Sequence, residues 1–173
     1  QGDEGDHAGR RPDRVEHLAD QLAHGVGHRL DLLHEANRVY KSDFFPNVRP
    51  IAALRARIWI IQGRLGDAVG WAREQGMSMD HALSYLHEFE HITLARMLLA
   101  QAKLADRPFL DVMEFLERLL HAAEAGQRTG NMIEILVLQA LAHQHQGNAP
   151  AALVPLEYAL TLAEPEGYVR MFV

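Results

Sequence analysis

Residues 133–165 read IEILVLQALAHQHQGNAPAALVPLEYALTLAEP, and this stretch decides the fold. Two apolar runs flank Gly147-Asn148-Ala149, each long enough for four helical turns. Small residues fall at Ala140, Gly147, Ala152 and Ala159, and Pro165 supplies a stop. Small side chains at facing positions let two antiparallel helices approach closely, while Gly147 frees the turn between them. A hairpin of this kind cannot bury both of its faces alone. Its neighbours must therefore come from the rest of the chain.

Working outward, the same spacing recurs. Ile51 to Gln62 is closed by Gly63, and Asp67 to Gln75 by Gly76. Ala56 and Gly63 stand seven apart with Ala68 following, and Ala95 and Ala102 are again seven apart. Leu83, Leu86, Phe89, Ile92, Leu94, Met97 and Leu98 predict a helix from about Asp80 to Leu104. Its partner is expected to begin near Pro108, where proline suits a first turn, and to end by Gly126. The partner's apolar stripe is Val112, Phe115, Leu116, Leu119 and Leu120. Gln62-Gly63, Gln101-Ala102 and Gln146-Gly147 align as turn positions at separations of 39 and 45. Tetratricopeptide arrays repeat every ~34 residues, so the spacing predicts about five extra residues between Ala105 and Leu110. The fold class is all-α: an irregular tetratricopeptide-like helical-hairpin solenoid, with an ordinary helical bundle as the plain alternative.

Composition agrees. The 173 residues include 24 Leu and 24 Ala against three Thr and seven Ile, a balance that favours helix over sheet. The formal charge of −6 argues against nucleic acid as the main partner of this chain. Without cysteine there is no disulfide or thiolate chemistry. No run of 18 apolar residues and no signal-peptide core is present. Residues 1–11 read as a tail or linker and 12–173 as a single helical-repeat domain. Asp13 to Tyr40 carries helical periodicity that Gly25 and Gly27 would kink or split, and Ser42 to Asn47 breaks it. The chain starts at Gln1 and stops at Val173, which suggests a fragment of a longer protein.

Three segments carry a family resemblance: Glu88 to Arg96 (EFEHITLAR), Ile133 to Ala140, and most specifically Leu162 to Val173 (LAEPEGYVRMFV). They resemble the tetratricopeptide-like sensor region of large ATP-dependent LuxR-type transcription regulators, the MalT-like group, over about Arg55 to Val173. The resemblance implies a cytoplasmic, non-enzymatic module that senses an effector and controls self-association. It also implies flanking nucleotide-binding and helix-turn-helix domains, so that ATP and DNA are bound only outside this chain. No G-x-x-x-x-G-K-[ST] string occurs here. Ala102 departs from the family's glycine at that turn and implies a different or longer helix end. A generic tetratricopeptide scaffold that binds a protein segment is the alternative reading.

His87-Glu88-Phe89-Glu90-His91 satisfies H-E-x-x-H, in which two imidazoles one turn apart share a zinc and the glutamate polarises water. A third ligand is conceivable only at Glu114 or Glu117, and no strand-forming segment exists to line a substrate. No metal and no cofactor is therefore expected. His17, His24, His28 and His34 read as a solvated face, and His143 and His145 as a favourable charge at a helix C-terminus. Trp59 and Trp71 should pack the seam of one hairpin, with Trp59 also a stacking surface for a ligand. Arg55, Arg57, Arg64 and Arg73 crowd the same hairpin and should pair with acids nearby. Polar residues inside the apolar first helices mark the expected site for an unknown small effector or protein: Glu88, Glu90, Arg96, Gln139 and His143. Glu90 with Arg96, or Glu134 with a nearby arginine, would instead form internal pairs.

Overall fold

The computed structural model describes residues 25, 27–33, 35, 49–165 and 167. The chain groups into two units, 1–41 and 42–173, each taken by itself. In the first, 27–33 is helical, with Leu30 and Leu33 half-buried and His28 exposed. The tail expected at 1–11, the break at 42–47, and His17, His24 and His34 lie outside the described residues.

The second unit is a run of helical hairpins, with no strand among the described residues. Helices α1 (Ile51–Ile61) and α2 (Leu65–Glu74) form the first hairpin, α3 (Glu88–Leu104) and α4 (Leu110–Ala125) the second, α5 (Thr129–His145) and α6 (Ala149–Ala163) the third. First helices pack on first helices, α1 against α3 and α3 against α5, while α2 lies on α3 and α4 on α5. The small residues read from the sequence sit at these seams: Ala56, Ala68, Ala95 and Ala159 are fully buried. Phe115, Leu116 and Leu119 from α4 meet Ile92 and Ile135 in the main core. Each fully buried side chain of that size contributes ~1.5–3 kcal/mol.

Among the described residues of this unit, five turns end their helices in one way. Arg64, Met77, Arg107, Arg128 and Asn148 each donate a backbone N–H to the carbonyl five residues back. This bond requires the residue before each donor to take the left-handed conformation. Gly63, Gly76 and Gly147 do so without a Cβ penalty, whereas Asp106 and Gln127 do so at φ 48° and 53°. The equivalent of Gly63 and Gly147 is thus Asp106. The separations become 43 and 41 rather than 39 and 45, because α3 continues through Ala102 to Leu104. Pro108 lies outside α4, whose N-cap is Phe109.

The helix expected from Asp80 begins only at Glu88, after a 3-10 turn at Tyr85–His87. The backbone N–H of Asp80 donates to Ser78 Oγ. Arg118 on α4 donates from Nη1 to the Met79 carbonyl at 2.9 Å and from Nη2 to the His81 carbonyl at 3.3 Å. Side chains thus engage the groups that a helix would pair internally. A residue 39 positions downstream provides this competition, which the local periodicity cannot register.

Candidate functional site

Glu134 interrupts the apolar run Ile133, Ile135 and Leu136 on α5, and a carboxylate in such a place needs partners. It finds two. Arg57 from α1 approaches with Nη1 at 2.9 Å, and Arg96 from α3 donates its Nε at 2.8 Å, both to Oε1. One oxygen therefore ties the first helices of three consecutive hairpins. Arg57 also donates Nε to Thr93 Oγ1, whose hydroxyl donates to the Phe89 carbonyl. The Arg57 guanidinium lies 3.8 Å from the centroid of the Phe89 ring. Burial acts to raise the Glu134 carboxyl, but the charges and hydrogen bonds of Arg57 and Arg96 hold it below its ordinary value. Burial lowers Arg57 against the pull of Glu134. Arginine starts so far above neutrality that the guanidinium nonetheless stays charged.

A second polar cluster closes the start of α3. Glu88, in the first turn of the helix, is buried. It accepts from Arg128 Nε at 2.6 Å and Nη2 at 2.9 Å, a bidentate pair, and from Asn131 Nδ2. Arg128 donates also to the Ala122 carbonyl and lies over the Tyr85 ring. Its hydrogen bonds to Glu88 raise its pKa further. Gly126 makes room for this arrangement: a Cβ there would collide with the Arg128 guanidinium.

The H-E-x-x-H residues take separate roles. His87 is exposed and places Nδ1 at 2.8 Å from Glu90 Oε2, while Glu88 is held by Arg128. His91 is buried, edge-on to Phe115 with ring centroids 6.1 Å apart. Burial, then the neighbouring His87, holds His91 below the ordinary histidine value. Among the described residues no three His, Asp or Glu side chains converge in a way that could hold a metal.

The six residues singled out from the sequence fall in different places. Glu88 belongs to the cluster at the start of α3, Glu90 pairs with His87, and Arg96 belongs to the Glu134 knot. Trp59 is half-buried beneath two guanidinium groups, Arg55 at 4.9 Å and Arg64 at 5.8 Å. Gln139 is buried and His143 half-buried on α5. Trp71 lies in the core, as the seam reading expects. Of the crowded arginines, Arg57 pairs with Glu134 and Arg64 with Asp67 at 2.7 Å. Arg128 and Asn131 carry no local mark of their role in the sequence. The signal available was Glu88 itself, a carboxylate ahead of an apolar run, but its partners stand 40 and 43 positions away.

A further surface lies between α1, α3 and α5, next to the knot. Ile60, Leu99, Leu138 and Leu141 bound a cavity of about 220 Å³, with Arg96, Lys103 and His145 at its edge. No helix among the described residues is long and apolar enough to cross a membrane. No curated protein matches the chain, and no solved structure does. The model of one family, described as the MalT-like TPR region, matches residues 27–173. With the hairpins, their shared turns and the seams of small residues, that match shows that the chain belongs to the MalT-like tetratricopeptide-region family.

Proposed function

We propose that this chain is the effector-sensing and self-association module of a LuxR-type transcription regulator, and that it recognises rather than transforms its ligand. The observation that supports this most is the Arg57–Glu134–Arg96 knot. Three hairpins meet at one carboxylate, so a ligand that changes the partners of any one residue changes how the hairpins stack. A ligand that binds one stacking arrangement better than another shifts the population toward it. ATP and DNA binding belong to other domains of the regulator, in the cytoplasm.

Thermal-shift screening against a metabolite collection tests the proposal, followed by sedimentation velocity with the best compound. The expected result is a melting temperature that rises with ligand concentration and a change in the association state. Capture of a peptide without any response to small molecules would instead make the chain a scaffold.

A further inference from the structure

We propose that the trough between α1, α3 and α5 binds a small organic carboxylate with an apolar body. This rests on the sensing role above and gives the effector a chemical class. The walls are hydrocarbon: Ile60 from α1, Leu99 and Ala100 from α3, Leu138 and Leu141 from α5. Leu141 is 52% exposed although the helix around it is largely buried, so the trough presents an apolar surface to solvent. A cavity of about 220 Å³ is smaller than the ~300–1,000 Å³ of drug-sized sites, which limits the ligand to a fragment-sized molecule.

The charge selects an anion. Arg96 and Lys103 lie seven apart on one face of α3, His145 approaches from α5, and among the described residues neither Asp nor Glu lines the trough. That is a local excess of base in a chain of net charge −6. Lys103 and His145 stand in the last turns of their helices, where the partial negative charge opposes an anion. That partial charge amounts to about half a unit per helix, so Lys103 and Arg96 together outweigh it. Arg96 gives Glu134 its Nε, which leaves the Nη donors for a second carboxylate. A ligand acid seated there competes with Glu134 for the same guanidinium. Occupancy is thereby coupled to the joint between the three hairpins.

Isothermal titration with sodium octanoate and phenylacetate, against octanamide as the neutral isostere, tests the site on the whole chain. Methyl NMR shifts at Ile60, Leu138 and Leu141 locate the binding. Both acids should bind, octanamide about tenfold more weakly, and Lys103→Gln should weaken octanoate by a similar factor. Leu141→Glu, at an exposed position, should abolish binding by setting a carboxylate against the same bases. Equal affinity for octanamide, or undiminished octanoate binding in both variants, overturns the proposal. So does capture of an acidic peptide by a protein that ignores both acids. If both acids fail while another metabolite still raises the melting temperature, the carboxylate site falls and the sensing role stands. If they bind as described but leave the association state unchanged, the site stands and the sensing role falls.

Discussion

Replacing Glu134 with glutamine is the most informative single change in this protein. The variant keeps the shape and one acceptor but removes the charge that Arg57 and Arg96 share. The Arg57 side chain is only 18% exposed, so water cannot replace the lost partner, whereas Arg96 at 36% is partly solvated already. Two hydrogen bonds between charged groups, worth ~1.5–3 kcal/mol each, become bonds to a neutral amide worth about half as much. The uncompensated Arg57 adds to that loss, and removing one partner of a buried pair costs ~3–5 kcal/mol. With Arg96 partly wet, the expectation is ~3 kcal/mol, or a fall of about 10 °C in melting temperature. Urea unfolding followed by two probes gives the assay. Trp59 and Trp71 report only the first hairpin, while far-UV circular dichroism reports every helix. In the wild type the two transitions should coincide. In Glu134→Gln the tryptophan transition should move to lower urea than the dichroism, because the first hairpin is the one untied. Replacing both Arg57 and Glu134 with methionine should cost less than Glu134→Gln alone, since no buried charge is stranded. Coincident transitions with a loss below ~1 kcal/mol would refute the claim that this carboxylate couples the hairpins.

The remaining expectations concern pH, the Glu88 cluster and the turns. His91 is buried with a pKa held below its ordinary 6.5, so the unfolded chain binds the extra proton. Its contribution to stability is complete above pH 6.5 and is lost as pH falls below it. Melting temperature against pH should lose that upper decline in His91→Phe. Glu134, held below its ordinary 4.5, contributes above that value, and its share disappears only as pH falls further; Glu134→Gln should remove this lower decline. Gly126→Ala should destabilise by ~1–2 kcal/mol in urea titrations by driving Arg128 off Glu88, and should be neutral or stabilising in an Arg128→Ala background. Asp106→Gly and Gln127→Gly should each stabilise the fold by ~0.5–1 kcal/mol, read as a higher urea midpoint, because they relieve left-handed strain at side-chain-bearing residues.

The third hairpin was legible almost residue for residue. Gly147 makes the turn, Asn148 caps α6 by accepting from the Ala151 N–H, and the helix ends two residues before Pro165. These signals are local and act through backbone conformation alone. The second hairpin was less legible, for two different reasons. Its turn uses Asp106, a residue that tolerates the left-handed region without announcing it, so the match of glutamine followed by a small residue falls on Ala102, inside the helix, instead. Its start was set by Arg118, which draws the Met79 and His81 carbonyls out of any helix. For the candidate site, Arg96 and the suspicion of a partner for Glu134 were readable. That the partners are two, and that one comes from α1, was not.

By itself the sequence determined the all-helical class, the hairpins and the small-residue seams. Periodicity, turn chemistry and side-chain volume act over a few neighbouring residues, where order along the chain is also order in space. Tertiary structure alone decided which charges meet. Arg57, Arg96 and Glu134 are 77 residues apart end to end and acquire a common oxygen only when three first helices stack. A buried carboxylate dictates that it must have a partner, but only the packing of the helices determines which side chains can reach it.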